Sequence, residues 1–207
     1  MSDNLSVNIG GSVVSSSSEC VHKNVLILGH SYVRDLSLSP ELFEYNVKFV
    51  GIPGATFATF LSDPSKFNGW VENGLSITPD CIVVLLGGND LSHYDNKIIL
   101  NNAFTLFRCL RDTFPTAKLI VSQIENRFYS LNNRFVDPLE YKLRSAALNK
   151  EFNRRKGDLF CLLLVRGKSN LDNPNFFRLD GVHLNYAGKV KLATRINGLV
   201  NKLLNSQ

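Results

Sequence analysis

The sequence contains little cysteine and no long hydrophobic run. Its four cysteines are scattered over 207 residues, without a Cys-x-x-Cys pair and without histidine at ligand spacing, so neither a disulfide framework nor a metal site such as zinc is expected. The cysteines are interpreted as buried free thiols in a reducing compartment. The longest apolar runs, Cys81–Leu86 and Leu159–Val165, have the length of strands. Both fall well short of the roughly 18 residues that a transmembrane helix requires.

Residues 1–22 contain few large apolar side chains. They are rich in Ser, Gly and Asn and include the run Ser15–Ser18, which predicts a disordered tail. The segment has neither the basic start nor the apolar stretch of a secretory signal, so a cytoplasmic location is expected. The remaining residues, 23–207, have the length and composition of one globular domain.

Charge is distributed unevenly along the chain. The formal net charge is +5, and the part from Glu140 to Gln207 carries 13 Lys and Arg against 5 Asp and Glu. A basic third of this kind can attract nucleic acid or an anionic membrane. The only dense basic cluster is Arg154-Arg155-Lys156, so solvated helix faces are the preferred interpretation and binding of nucleic acid or anionic lipid is the alternative.

From Lys23 onward, short apolar runs alternate with longer segments of helical periodicity. Five strands are predicted, at Asn24–Leu28, Asn46–Val50, Cys81–Leu86, Lys118–Ser122 and Leu159–Val165. Three long helices are predicted, at Asp95–Phe114, Pro138–Lys156 and Tyr186–Leu204. The third and fifth strands are apolar throughout, which is typical of a parallel sheet covered on both faces. The alternation predicts one three-layer α/β domain.

Small and polar residues follow the predicted strands, at the edge where open parallel sheets form their sites. Ser31 follows the first strand, Gly54 the second and Asn89 the third, and an Asp-x-x-His pair precedes the last helix. A serine hydroxyl needs a base to become nucleophilic; His183 can be that base, and Asp180 can orient its imidazole. The Asn89 amide and the backbone N–H groups of Ser31 and Gly54 can donate to an oxyanion.

Over nearly all of residues 24–204, these motifs resemble the SGNH hydrolases, also called GDSL-like esterases. The serine block, Pro-Gly-x-Thr, Gly-x-Asn-Asp and Asp-x-x-His occur in the order of that family. The resemblance implies Ser31 as nucleophile, Asp180 and His183 as its partners, and an oxyanion hole of Ser31, Gly54 and Asn89. It implies a flavodoxin-like α/β/α fold with a five-stranded parallel sheet in the order 2-1-3-4-5. It also implies hydrolysis of carboxylic esters or O-acyl groups, for example O-acetyl groups, through an acyl-enzyme, without metal or cofactor.

One departure from the family pattern is His30, which stands where a Gly-Asp-Ser block usually has aspartate. His30 is either a second base beside the nucleophile or a residue that packs and bonds locally, and the second interpretation is preferred. Because of this departure, an inactive module that binds an ester, glycan or lipid surface is kept as an alternative. A narrower resemblance, in LGHSYVRDL, SQIENRFYS and DGVHLN, is to esterase-type domains of retroelement proteins.

Each candidate residue also has a plain structural interpretation. Ser31 fits a helix N-cap, Asn89 fits a turn, and His183 fits a surface histidine. Four aromatic residues after the second strand fit a core better than an acyl pocket: Phe57, Phe60, Phe67 and Trp70. Two long loops are predicted to border the site as a lid or substrate wall, at Glu125–Asp137 and Arg166–Arg178.

Overall fold

The computed structural model describes residues 23–66, 71–72, 75–125, 127, 137–160, 162–164 and 173–205. The tail predicted at residues 1–22 lies outside these ranges. The strands are β1 (Asn24–Gly29), β2 (Asn46–Gly51), β3 (Val71–Glu72), β4 (Leu75–Ser76), β5 (Cys81–Leu85), β6 (Lys118–Ser122) and β7 (Leu162–Leu164). The α-helices are α1 (Ser31–Leu36), α2 (Phe57–Leu61), α3 (Asn96–Thr113), α4 (Pro138–Arg154) and α5 (Tyr186–Leu204).

Five strands form one parallel sheet in the order β2-β1-β5-β6-β7. Counted within that sheet, the order is the predicted 2-1-3-4-5, and the α/β/α fold class is confirmed. The short strands β3 and β4 pair with each other as an antiparallel hairpin outside the sheet.

Both faces of the sheet are covered, because alternate residues of each central strand point to opposite sides. In β1, Leu26 and Leu28 belong to the core that also contains buried residues of α2, α3 and α4. Val25 and Ile27 belong to the opposite core, with buried residues of α1 and α5. Every residue of β5 is buried, as an apolar strand in the middle of a covered parallel sheet should be.

The fifth predicted strand differs most from the sequence prediction. Its first residues, Leu159 and Phe160, are buried but precede β7, and Gly157 turns the chain with a φ of +97° just before them. Apolar character therefore indicated burial correctly there and strand conformation wrongly. The six-residue helix α1 begins at Ser31, where a helix start was expected without bounds, whereas the five-residue helix α2 was not predicted because so short a helix shows no periodicity.

The basic cluster Arg154-Arg155-Lys156, at the end of α4, is engaged in local contacts. Arg154 forms an ion pair of 2.7 Å with Glu151, and the guanidinium of Arg155 lies 5.7 Å from the centre of the Phe104 ring. These contacts agree with the preferred interpretation of solvated helix faces. Within the described ranges, no helix is long and apolar enough to cross a membrane.

Candidate active site

Three of the predicted site loops leave the sheet side by side. In the pairing of the central strands, Gly29 at the end of β1 lies opposite Gly51 in β2 and Leu85 in β5. The chain that follows these positions carries Ser31, Gly54 and Asn89, respectively. The parallel register therefore brings the three loops to one edge of the sheet.

Ser31 is the first residue of α1 and is partly exposed. Its backbone N–H has no acceptor inside the helix, as is general for a first helical turn, and can serve an external oxyanion. The Ser31 hydroxyl makes no hydrogen bond with any residue in the described part of the chain. Catalytic serine–histidine hydrogen bonds often tighten only when substrate binds.

Asp180 and His183 form a hydrogen-bonded pair. The Nδ1 atom of His183 lies 2.8 Å from Asp180 Oδ2, while Asp180 Oδ1 accepts the backbone N–H groups of Val182 and His183, each at 2.8 Å. Burial by itself raises the pKa of Asp180, but the hydrogen bonds from the His183 backbone, the His183 ring and Val182 outweigh it and lower that pKa. The ionised carboxylate accepts a hydrogen bond from Nδ1–H, so the proton of the neutral ring is on Nδ1 and Nε2 carries none.

The loop with this pair is attached to the helix that begins at Ser31. The Tyr32 hydroxyl donates to the Val182 carbonyl at 2.6 Å, and Arg178 pairs with the buried Asp35 at 3.3 Å. The contacts join residues 150 and 143 positions apart, so they hold the loop of Asp180 and His183 against the helix that begins at Ser31. The sequence analysis did not predict these contacts. The one signal for them was Asp35, an acidic residue beside the apolar Leu36.

Gly54 lies in an exposed turn after β2. Its φ is +73°, in the left-handed region that favours glycine, and a Cβ atom there would meet no other atom within 4 Å. Glycine is therefore required by the backbone conformation of this turn. The same turn carries the Ala55 carbonyl, which accepts a hydrogen bond of 3.0 Å from the side-chain amide of Asn89. This contact joins Asn89 to the turn that contains Gly54.

Asn89 is held at both ends of its side chain. Its nitrogen donates to Ala55, and its oxygen accepts a hydrogen bond of 2.7 Å from Nη2 of Arg127. The amide has two N–H groups, so one stays available for a substrate oxygen. Arg127 lies in the loop predicted as a lid or substrate wall, and nothing in the sequence pattern indicated this contact with Asn89.

Asp90 joins the loop after β5 to the start of α2. It is fully buried, and its Oδ1 accepts the backbone N–H of Phe57 at 3.0 Å, at the start of α2. Its Oδ2 has no hydrogen-bond partner among the described residues. Burial raises the pKa of Asp90 to about 6, although the Phe57 N–H favours the ionised form.

His30 caps α1. Its Nδ1 accepts the backbone N–H of Tyr32 at 3.4 Å, and the two rings meet edge to face with centres 4.6 Å apart. Since Nδ1 is an acceptor in this contact, the proton of the neutral ring is on Nε2. Burial lowers the pKa of His30 to about 3, and the nearby charges of Arg127 and His183 add to the effect. The geometry agrees with the preferred interpretation of His30 as a local packing and capping residue.

The buried neutral His30 makes stability sensitive to acid. In the unfolded chain the ring has the ordinary pKa of 6.5. Between that pH and about 3 the unfolded state therefore binds a proton that the folded state does not bind, and the folded state becomes less stable as the pH falls. We expect wild-type protein to lose about 2 kcal/mol of unfolding free energy between pH 7 and pH 5 relative to His30→Asn, which keeps a capping acceptor. Urea unfolding of both proteins at each pH measures this difference.

The control for this prediction is His93→Asn, because His93 lies exposed beside Tyr94. The unfolding free energy of His93→Asn should stay close to that of wild type, as is usual for an exposed substitution. A constant difference for His30→Asn would contradict the prediction. Asp90 titrates in both proteins, so its contribution cancels in the comparison.

The predicted aromatic core is seen where the structure describes it. Phe57 and Phe60 are fully buried, and the Phe57 ring packs edge to face on Phe107 and Phe152, with centres 6.0 and 6.3 Å apart. Phe67 and Trp70 lie outside the described residues, as do residues 126, 128–136 and 166–172 of the predicted border loops. In the described ranges, no group of three His, Cys, Asp or Glu side chains is arranged to hold a metal ion.

Comparisons with protein-family models and with curated proteins find no match. Solved structures do match. A GDSL-like lipase from Bacteroides thetaiotaomicron is 19% identical, with 88% of this chain and 89% of that chain covered and a TM-score of 0.64. A carbohydrate esterase family 3 protein from Talaromyces cellulolyticus is 18% identical, with 89% and 99% covered and a TM-score of 0.61.

A third similar structure is a member of the lipolytic G-D-S-L family from Veillonella parvula, at 14% identity, with 89% and 100% covered and a TM-score of 0.62. Fold and site together define an α/β/α protein with serine, histidine and aspartate at one edge of a parallel sheet. Its fold is that of the SGNH, or GDSL-like, hydrolases. The narrower resemblance to retroelement domains stays a prediction.

Proposed function

We propose that this protein is a serine ester hydrolase that cleaves a carboxylic ester or O-acyl group through an acyl-enzyme. The observation that carries the proposal is the 2.8 Å contact between His183 Nδ1 and Asp180 Oδ2. This contact leaves His183 Nε2 as a proton acceptor on the loop attached to α1, which begins at Ser31. A histidine oriented in this way is what a weak serine nucleophile needs.

In the first half of the reaction, Ser31 Oγ attacks the carbonyl carbon of the ester and its proton passes to His183 Nε2. The carbonyl oxygen becomes an oxyanion and accepts hydrogen bonds from the N–H groups of Ser31 and Gly54 and from the Asn89 amide. The intermediate then collapses: the bond to the alcohol oxygen breaks, and His183 returns the proton to that oxygen. The alcohol leaves and the acyl group stays on Ser31.

In the second half, water takes the place of the alcohol. His183 removes its proton as the water oxygen attacks the acyl carbon, and the same donors hold the second oxyanion. Collapse breaks the bond to Ser31 Oγ, which regains its proton from His183. The products are a carboxylic acid and the free serine.

The substrate class follows from the fold neighbours by analogy. They include a GDSL-like lipase and a carbohydrate esterase, which favours lipid or glycan esters as candidate substrates. The proposed machinery consists of side chains and backbone N–H groups of this chain. Asp180 stays ionised throughout, since three hydrogen bonds stabilise its charge.

The proposal is tested with a fluorophosphonate probe and mass spectrometry of the labelled protein. We expect one adduct, on Ser31, and no adduct in Ser31→Ala, because only an activated serine displaces fluoride from phosphorus at a useful rate. Ser37→Ala is the matched control, since Ser37 is exposed at the end of the same helix. It should label like wild type.

Labelling of another serine, or unchanged labelling of Ser31→Ala, would contradict the assignment. Protein that binds an acylated glycan or lipid but is neither labelled nor hydrolytic would instead be the inactive binding module.

A further inference from the structure

We propose that Arg127 is a positioning residue that fixes the orientation of the Asn89 amide and so aims one of its N–H groups at the oxyanion. The inference rests on the proposed ester hydrolysis and adds a residue to its machinery. Arg127 does not touch the reacting atoms in this assignment. It acts through Asn89.

The hydrogen bonds of Asn89 permit one amide orientation. Arg127 Nη2 donates to the amide oxygen at 2.7 Å, and the amide nitrogen donates to the Ala55 carbonyl at 3.0 Å. A flip by 180° would set the amide N–H groups against the guanidinium, where both sides are donors, and the amide oxygen against a carbonyl, where both are acceptors. Among the described residues, the Ala55 contact is the hydrogen bond of the amide that would remain without the arginine.

The side chain of Arg127 is positioned by neighbouring residues. Its guanidinium lies 5.5 Å from the centre of the Tyr141 ring in α4, and the Tyr141 hydroxyl donates to the Glu125 carbonyl at 3.0 Å, two residues before the arginine. Gly88 has no side chain, which leaves space for the guanidinium. A Cβ atom on residue 88 would lie 2.8 Å from Nη2 of Arg127. The second glycine of Gly-Gly-Asn-Asp therefore makes room for the arginine.

The guanidinium also polarises the amide. A hydrogen bond from a charged donor to the amide oxygen draws electron density from the nitrogen, which makes its N–H groups better donors. The benefit is largest when the substrate oxygen becomes an oxyanion. We therefore expect Arg127 to affect kcat and to leave KM nearly unchanged.

A double-mutant cycle on hydrolysis of p-nitrophenyl acetate tests the inference. Asn89→Ala should lower kcat by about 10²–10³-fold, as for loss of an oxyanion donor. Arg127→Ala should lower kcat by about 10- to 100-fold, with KM within about twofold of wild type. In the Asn89→Ala protein, adding Arg127→Ala should change kcat by less than about twofold, because the residue it positions is already gone.

Three further variants separate positioning from a general structural role. Arg127→Lys keeps a charged donor and should recover part of the lost kcat. Gly88→Ala should displace the guanidinium and lower kcat in wild type but not in the Arg127→Ala protein. Arg154→Ala, at an exposed arginine paired with Glu151, is the matched control and should keep full activity.

An equal loss from Arg127→Ala in both backgrounds would overturn the inference, as would a rise in KM with kcat unchanged. If Asn89→Ala has no effect on kcat while Ser31→Ala abolishes it, the inference fails and the proposed hydrolysis stands. If neither has an effect, the proposed function fails. If Arg127→Ala does not fold, the same double-mutant cycle is measured with Arg127→Gln or Arg127→Lys in place of Arg127→Ala.

Discussion

His183→Ala is expected to hydrolyse p-nitrophenyl acetate with a kcat on the order of 10⁶-fold below wild type. Without the imidazole, nothing on the loop can take the Ser31 proton, and the Asp180 carboxylate loses its partner. The fluorophosphonate probe should label Ser31 correspondingly slowly. Steady-state kinetics with protein purified in parallel, and unfolding temperatures of both proteins, measure the effect and check the fold.

His93→Ala is the control for this prediction, because His93 is an exposed histidine beside Tyr94 and has no place in the proposed site. It should match wild type. The contradictory result is a folded His183→Ala protein that keeps its activity. In that case, loss of activity in His30→Ala with full activity in His30→Asn, which keeps the capping acceptor, would assign the lost activity to the helix cap, and loss in both would point to His30 as the base.

Asp180→Asn is expected to lower kcat by about 10⁴-fold with little change in stability. The asparagine oxygen can still accept the backbone N–H groups of Val182 and His183, so the loop keeps its shape. The amide nitrogen, however, donates to His183 Nδ1. This places the ring proton on Nε2, where the base must have none. Kinetics with p-nitrophenyl acetate and thermal unfolding of the same samples separate the two effects.

Asp112→Asn provides the matched control, since Asp112 is exposed on α3. It should keep wild-type kcat. A folded Asp180→Asn protein with near-normal kcat would show that Asp180 does not orient the base. A large fall in unfolding temperature would assign the loss to the loop and not to the tautomer.

Local sequence patterns predicted the strands of the sheet and the long helices. They could do so because the strands of a parallel sheet covered on both faces are buried and therefore continuously apolar. β5 and β6 appear close to their predicted bounds, and α5 begins and ends as predicted. The pattern misled at Leu159 and Phe160, two buried residues that precede the strand: Leu159 lies in a turn and Phe160 forms an isolated bridge with Lys156. Apolar character reports burial, and only length and neighbours distinguish a strand from other buried chain.

The sequence by itself determined the fold class, the edge of the sheet at which to seek a site, and the Asp180–His183 pair, whose three-residue spacing lets one carboxylate meet both ring and backbone. Only the tertiary structure decided what holds that edge together. Arg127 and Asn89 lie 38 residues apart, and Asp35 and Arg178 lie 143 residues apart. Such hydrogen bonds depend on the register of strands and the path of loops, which no local periodicity records.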